Sequence, residues 1–306
     1  MGFRHFSDSE VLQILTPEVA RKALLDAFLL WSEGKASTMQ RARCVAGIQM
    51  CSSMIAVVPP FSGGKIYSTN GGKFSFLVVL FDANGQLLAT FDGDMLTRLR
   101  TSALIGAAVE RLHPTTPEQL GIIGAGKQSQ MIVLEVLRTN PTLQGVSVFD
   151  LNDGASQQLV EELQRRGVSA RLGGSPLAVA QNSDTIITVT SSKEPVLDHH
   201  GPKPGTLIVG VGATKDGLCE LAPSLIAASS EVVCDDVEGS RIECGDLLEA
   251  SRVGLFDWQR AIELKNVLGG RVSPKRGIDE IVIFETQGVA IQDVAAAAAV
   301  WTNSQI

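Results

Sequence analysis

The sequence has few of the residues on which metal centres and disulfide frameworks depend. It contains four histidines and five cysteines among 306 residues. The odd number of cysteines argues against a disulfide framework, and none has a CxxC spacing: Cys44, Cys51, Cys219, Cys234 and Cys244. A zinc site has little support, so we predict no bound metal. We expect the cysteines to be small residues of the core.

Long apolar runs and basic tracts are also lacking. The most apolar stretch, 294–301, is mostly alanine and too short to cross a bilayer. No basic segment followed by an apolar one marks a signal peptide, so we expect a cytoplasmic protein. The net charge of −7 disfavours a nucleic-acid partner. We therefore predict a small-molecule ligand, with no membrane and no nucleic-acid partner.

Two different patterns lie on either side of His113-Pro114. Before it, Thr16-Pro17 predicts the start of a helix that ends at Gly34, and apolar alternation predicts strands over 43–91. After it, short apolar strands alternate with helices, which is typical of a parallel, doubly wound α/β sheet. Turns between the early strands are predicted at several glycine pairs, Gly71-Gly72 among them.

A glycine-rich loop follows the first strand of the second region. The strand 119–123 runs into the sequence GAGKQS at 124–129 and then into a helix. Gly124 permits a tight turn, and Gly126 lets a pyrophosphate approach the backbone, while Ser129 replaces the usual third glycine. The helix N-terminus offers free N–H groups and positive dipole charge to that phosphate. The loop predicts a Rossmann-type dinucleotide site.

An acid ends the next strand. Asp150 would hydrogen-bond the ribose hydroxyls of NAD and repel a 2′-phosphate. Leu151-Asn152 follows it, rather than an arginine. We therefore predict NAD(H) as the preferred cofactor, with NADP(H) as the alternative.

Two spaced motifs make the pattern more specific. LTxxRTxA occupies 96–103 and GIIGAGxQ occupies 121–128. Further matches are Arg43 before a strand, GGK at 63–65, VGA at 211–213 followed by Glu220-Leu221, and GxAxQD at 288–293. Over nearly its whole length the chain resembles the ornithine cyclodeaminase/mu-crystallin family. That family includes archaeal-type alanine dehydrogenases and reductases of cyclic ketimines.

The resemblance implies roles for particular residues. Arg43, Lys65 and Arg100 would hold a substrate carboxylate, which suits a bidentate arginine fork and a compact lysine charge. Cofactor contacts would come from Thr101, Gly124, Ala125, Gly126, Gln128, Ser129, Asp150, Thr190 and Gly212. A substrate-binding and dimerisation domain, 1–112 with 289–306 returning to it, would accompany a Rossmann NAD-binding domain, 113–288. The implied assembly is a homodimer.

Two departures from the family pattern bear on the reaction. Where cyclodeaminases carry an aspartate that takes a proton from the substrate amine, this chain has Thr214. A threonine hydroxyl cannot act as a base at neutral pH, although Asp216 two positions later is an alternative base. With Lys65 and Arg100, these two residues are the predicted catalytic groups. The second departure is 285–287, Glu-Thr-Gln where relatives often have Lys-Ser-Val, and no effect is predicted for it.

We predict an NAD(H)-dependent oxidoreductase of this family. It would reduce a cyclic 2-carboxy imine, such as pyrroline- or piperideine-2-carboxylate, or interconvert a 2-oxo or imino acid with an amino acid. Two alternatives stay open: an ornithine cyclodeaminase that releases ammonia and forms proline, and a mu-crystallin-like protein that binds NAD(P)H and a small ligand. The three cations argue against a protein that only binds.

Overall fold

The computed structural model describes residues 3–70, 73–275 and 277–305. The turn predicted at Gly71-Gly72 lies outside the described residues. The chain divides into two compact units, an N-terminal unit, Met1–Leu104 with Gly288–Ile306, and a central unit, Ile105–Gln287. The division falls within a helix, several residues before the boundary that the sequence suggests at His113-Pro114. The ligand-binding roles of the two regions stay predictions.

The N-terminal unit is built on a seven-stranded sheet with the order β1-β7-β6-β5-β4-β2, in which β3 also pairs with β4. Its strands are β1 (Arg4–Phe6), β2 (Ser37–Thr38), β3 (Ala42–Ala46), β4 (Gln49–Val58), β5 (Phe61–Asn70), β6 (Lys73–Phe81) and β7 (Leu87–Asp92). Only the β1–β7 pair is parallel within the described sheet. The helices are α1 (Asp8–Ile14), α2 (Pro17–Ser32), the first part of α3 (Gly93–Leu112) and the last helix of the chain, α11 (Ala290–Asn303).

Local sequence explains these elements. The Thr16 hydroxyl accepts the N–H of Val19 and caps α2, and Gly34, at a φ of 73°, follows the end of the helix, as predicted. Along β4 the even-numbered residues from Ser52 to Val58 are buried, whereas Ile55 and Val57 are half exposed. Because successive side chains of a strand point to opposite faces, one face of the sheet is covered, by α11 with α2 beside it, and the other carries apolar residues in the open.

The central unit is an eight-stranded, all-parallel sheet with the order β10-β9-β8-β11-β12-β15-β13-β14. Its strands are β8 (Gln119–Ile123), β9 (Gly145–Phe149), β10 (Ala170–Leu172), β11 (Thr185–Thr188), β12 (Leu207–Gly210), β13 (Glu231–Cys234), β14 (Ala261–Glu263) and β15 (Val282–Glu285). Its helices are the end of α3, α4 (Ser129–Thr139), α5 (Asp153–Arg165), α6 (Pro176–Gln181), α7 (Pro223–Ala228), α8 (Val237–Glu243), α9 (Gly245–Arg252), α10 (Leu264–Leu268) and a 3-10 turn at Trp258–Arg260. The doubly wound α/β class predicted from the sequence is confirmed.

Among the residues that the structure describes, no helix is long and apolar enough to span a membrane.

The cysteine prediction is wrong for two of the five residues: Cys219, Cys234 and Cys244 are buried, but Cys44 and Cys51 are exposed. These two lie opposite each other on β3 and β4, where the strands leave a face uncovered.

Candidate functional site

The glycine loop of the central unit has the backbone shape that its sequence requires. Gly124 has a φ of +106°, and a Cβ there would lie 2.5 Å from the Val189 carbonyl oxygen, so no other residue fits. At Gly126 an added Cβ would meet nothing within 4 Å, which leaves the backbone open to a ligand. The Ser129 hydroxyl donates to the Gly124 carbonyl at 2.7 Å, which accounts for serine at the third position.

The acid after β9 is joined to this loop. One carboxylate oxygen of Asp150 accepts the Ala125 N–H at 2.7 Å, and the other accepts the Asn152 N–H at 2.8 Å. Each oxygen keeps a second lone pair, so Asp150 can still accept from ribose hydroxyls. At the start of α4, the buried Oε1 of Gln128 has no hydrogen-bond partner among the described residues, as expected where a ligand donor is missing. These residues fit a dinucleotide.

The strand order places a crevice at this loop. The chain moves from β8 outward to β9 and β10 and then returns to β11 on the other side of β8. In such sheets ligands bind outside the carboxyl ends of the strands where the order reverses. Thr190 and Gly212, which follow β11 and β12, both donate their N–H groups at 2.6 Å to the carboxylate of Glu220. The structure thus brings these two predicted cofactor residues together.

Two more buried carboxyls lie behind Glu220. Asp246 Oδ1 accepts the N–H groups of Glu220 and Leu221 at 2.6 and 3.1 Å, and the charge of Asp246 acts on Glu285. Burial, reinforced by the Glu220 charge, raises the pKa of Asp246 to about 7. Burial beside Asp246 and Glu220 raises the pKa of Glu285 well above its usual value of 4.5. No group of three or more His, Cys, Asp or Glu in the described chain could hold a metal ion.

A cluster of cations lies in the N-terminal unit. Lys65, on the covered face of β5, has 3% of its side chain exposed, and its Nζ lies 3.0 Å from Asp293 Oδ1 and 3.4 Å from the Thr97 hydroxyl. Arg100 on α3 places its Nε 3.2 Å from the same Asp293 oxygen and donates to Gln292 Oε1. Three elements, β5, α3 and α11, therefore meet at one carboxylate.

A third cation of this cluster is Arg41, which precedes β3. Its guanidinium donates to the Gly288 carbonyl at 3.1 Å, and its charge acts on both Lys65 and Asp293. The sequence singles out Arg43 instead, and that residue pairs with Ser52 on the covered face of the sheet. Its role stays a prediction. We call Arg41, Lys65 and Arg100 the cation cluster.

Electrostatics make the cation cluster ready for an anion. Burial lowers the pKa of Lys65 to about 8, and Asp293 opposes that shift. Although burial favours protonation of Asp293, the charges of Lys65 and Arg100 hold its pKa below the usual value. Asp293 Oδ2 and Gln292 Nε2 are buried with no hydrogen-bond partner in the described residues. Lys65 and Arg100 share the one carboxylate of Asp293, so this buried pair keeps an excess of positive charge that suits an anionic ligand.

Comparison with known proteins identifies the family of this chain. The sequence model of the Ornithine cyclodeaminase/mu-crystallin family matches residues 7–305. The chain belongs to this family. Iminosuccinate reductase of Paracoccus denitrificans is 30% identical over 96% of this chain and 94% of its own length. A Delta(1)-pyrroline-2-carboxylate/Delta(1)-piperideine-2-carboxylate reductase of Azospirillum brasilense is 30% identical over 72% of this chain and 67% of its own length.

A solved structure of the family shows the same fold. An archaeal alanine dehydrogenase dimer with bound NAD has a TM-score of 0.94 and 26% identity, covering 100% of this chain and 97% of that one. The fold class predicted from the sequence agrees with this likeness. The family motif GxAxQD, noted in the sequence without a role, supplies Gln292 and Asp293 to the cation cluster. Sequence reasoning missed both as site residues, although an amide and an acid in an alanine-rich helix were the available signal.

The loop after β12 carries Thr214 and Asp216, the two predicted catalytic residues of the central unit. Thr214 is half-buried, and its N–H donates to the Gly212 carbonyl at 2.8 Å. Asp216 is exposed and forms an ion pair with Arg252 at 2.6 Å. The hydrogen bond from Arg252 holds the pKa of Asp216 below its usual range. Since a lower pKa makes a weaker base, the structure gives little support to Asp216 as a substitute base. The remaining predicted residue, Thr101, is buried on α3 next to Arg100.

We expect Asp293→Asn to lower the free energy of unfolding by about 3 kcal/mol, because it leaves buried cations without their countercharge. Asp94→Asn is the matched control, since Asp94 pairs with Arg98 on the same helix but is half exposed. Its loss should cost less than about 1 kcal/mol. Urea denaturation of both variants checks this, and equal effects would contradict the role given to Asp293.

We expect Glu285→Gln to flatten the pH dependence of stability. Because folding raises the pKa of Glu285, its contribution is present below pH 4.5 and is lost as pH rises through the raised pKa. Glutamine has the shape of the protonated acid and cannot ionise, so the variant should gain stability relative to wild type as pH rises. Glu238→Gln, at an exposed ion pair with Arg241, is the control. Parallel curves for wild type and Glu285→Gln in urea denaturation across pH would refute this.

Proposed function

We propose that this chain is an NAD(H)-dependent oxidoreductase that reduces a cyclic 2-carboxy imine of the pyrroline- or piperideine-2-carboxylate type. The observation that carries the proposal is the cation cluster, which combines burial, fixed geometry and an excess of positive charge. The names of relatives add support, since the Paracoccus and Azospirillum proteins reduce carbon–nitrogen double bonds in carboxylated compounds.

The central unit supplies the cofactor site in this proposal. The glycine loop and the N-terminus of α4 would hold the pyrophosphate, and Asp150 would accept from the adenosine ribose. The negative charge of Asp150 and the absence of an arginine directly after it favour NAD(H) over NADP(H). When bound, NADH supplies the hydride that converts the imine carbon to an amine carbon.

The cation cluster supplies the substrate site. A planar carboxylate accepts hydrogen bonds from the Arg100 fork and the Lys65 ammonium, both already fixed by Asp293. Because the two side chains are already held in place, they need not reorganise when the substrate binds. They would also orient the substrate carbon that bears the carboxylate. A bound anion also favours the charged form of Lys65, whose pKa of about 8 lies close to neutral pH.

The proton chemistry favours imine reduction over cyclodeamination. Removing hydride from a carbon that bears an amine needs that amine neutral, and a carboxylate base serves this purpose. Thr214 cannot supply it, and Asp216 is held in its ion pair with Arg252. The reverse reaction, oxidation of an amino acid, uses the same anchors at higher pH. Reductive amination of a 2-oxo acid with ammonium is the open-chain form of the same chemistry.

An NADH-oxidation assay tests the proposal. Purified protein should oxidise NADH with pyrroline-2-carboxylate or piperideine-2-carboxylate, and Arg100→Met should lower kcat/KM about a hundredfold, since two charge-assisted bonds are worth about 3 kcal/mol. The affinity for NADH should not change. Arg98→Met, which removes the neighbouring partly exposed arginine, is the control.

Two results of this assay would count against the proposal. No NADH oxidation with any cyclic imine, or with 2-oxo acids and ammonium, would exclude the reductase. Release of ammonia from ornithine without net change in NADH would identify a cyclodeaminase instead.

We also propose that the protein is a homodimer formed through the uncovered face of the N-terminal sheet. Ile55 and Val57 on β4, Ile66 on β5 and Leu77 on β6 share this face and are 42–50% exposed. A contiguous apolar patch of this kind is typical of an interface. The related archaeal alanine dehydrogenase is described as a dimer.

Charge placed on this face should separate the subunits. We expect the wild-type protein to have a mass of twice 32.5 kDa. The double variant Ile66→Glu, Leu77→Glu should be a monomer, because the new charges cannot be buried against apolar residues. Leu172→Glu, at an exposed position of the central unit, should stay dimeric. Light scattering after size exclusion measures all three, and a monomeric wild type would disprove the dimer.

A further inference from the structure

The carboxylate of Glu220 accepts three hydrogen bonds, although the proposed reaction assigns it no role. Its carboxylate is fully buried and accepts the Thr190 N–H at 2.6 Å, the Gly212 N–H at 2.6 Å and the Thr188 hydroxyl at 3.0 Å. These donors belong to β11 and to the segments that follow β11 and β12. A single side chain therefore joins the carboxyl ends of two neighbouring parallel strands.

The two segments need such an acceptor. Thr190 and Gly212 lie past the last paired residues of their strands, so the sheet offers their N–H groups no partner. A buried N–H left unpaired is costly, and the two oxygens of one carboxyl group can pair both of these donors. An added Cβ on Gly212 would overlap the Thr190 carbonyl oxygen and lie 2.7 Å from the Glu220 carboxylate. The segments therefore touch through their backbones, with the carboxylate between them.

Glu220 is itself held from both sides. Its N–H donates to Asp246 Oδ1 at 2.6 Å, and its carbonyl accepts the N–H groups of Val196 and Leu197 at 2.8 and 3.1 Å. Leu221 continues this contact as a parallel bridge to Leu197. These hydrogen bonds fix the main chain at Glu220. The position of its carboxylate therefore sets the positions of the two segments.

We propose that Glu220 is a positioning residue for the dinucleotide. It holds the backbone after β11 and β12 in the shape that receives the half of the cofactor not bound by the glycine loop, and it does not touch the cofactor. The location supports this, because both segments lie at the carboxyl ends of strands beside the reversal of strand order between β8 and β11. The inference rests on the proposed function, since it presupposes that the central unit binds NAD(H).

The variant that tests this is Glu220→Gln. An amide keeps the size of the side chain but points its NH₂ group at one of the two backbone donors, so either Thr190 or Gly212 loses its acceptor. We expect the dissociation constant of NADH, measured by fluorescence titration without substrate, to rise tenfold or more. ADP, which carries only the adenosine and the pyrophosphate, should bind as it does to wild type.

Thr188→Val is the matched control. It removes the hydroxyl bond to the same carboxylate and leaves both backbone bonds in place, so NADH should bind nearly as tightly as to wild type. Thermal melting of each variant shows whether it is folded. Hydrogen exchange on the wild-type protein adds a measurement that needs no variant: without NADH, the amides of Thr190 and Gly212 should exchange slowly.

Three results would overturn the inference. Unchanged NADH affinity in Glu220→Gln would show that the bonds do not shape the site. Equal weakening of NADH and ADP binding would indicate a general folding role. Fast exchange of both amides in the wild-type protein would show that Glu220 does not hold them, whether or not the variant folds. Failure of the wild-type chain to bind NADH would instead remove the proposed function, and the inference with it.

Discussion

The N-terminal unit depends on one fully buried carboxylate. Asp293 accepts from Lys65 and Arg100 through the same oxygen, and each of the three residues comes from a different element. Buried cations are costly unless they are paired, so neither Lys65 nor Arg100 could occupy its place without Asp293. Because Asp293 lies on α11, the chain has to return to this unit after the whole central unit has been made. The pairing of Asp293 with Lys65 and Arg100 therefore ties the end of the chain to the N-terminal unit.

The central unit uses carboxylates in a second way, to join strand ends. Asp150 accepts the Ala125 N–H and so ties the end of β9 to the loop after β8, while Glu220 ties the segments after β11 and β12. In both cases an acid replaces the partner that the sheet no longer provides. Parallel strands end side by side, so a short anionic side chain can reach two backbones at once. The crevice for a dinucleotide is thus lined by backbone whose position is set by acids.

Local signals in the sequence predicted most of the fold. The Thr16 cap, the glycine at position 34, the alternating strands and the loop at 124–129 each depend on residues close together in the chain. The glycine loop also predicted the cofactor class, because glycines at this spacing between a strand and a helix are typical of a dinucleotide site. These features needed no knowledge of long-range contacts.

The site was less predictable wherever it depends on contacts between distant residues. Arg41 and Arg43 cannot be distinguished by local sequence pattern. The structure shows that Arg41 lies just before β3 and that its charge acts on Lys65. Asp293 could not be assigned from its surroundings, since its partners are 193 and 228 residues away. The sequence marks Glu285 only as a departure from the family pattern with no predicted effect, and its burial beside Asp246 comes from the order of strands in the sheet.

The main chain at Gly288 lies beside two arginines of the cation cluster, Arg41 and Arg100. Gly288 has a φ of +82°, and a Cβ added to it would lie 3.0 Å from the Arg100 guanidinium. Bare main chain therefore forms one wall of the cation cluster, between two arginines. A side chain at Gly288 would be strained at this φ and would crowd Arg100, so this wall of the cluster resists substitution. The carboxylate recognition that we propose for the cation cluster is in this way protected from substitutions at Gly288.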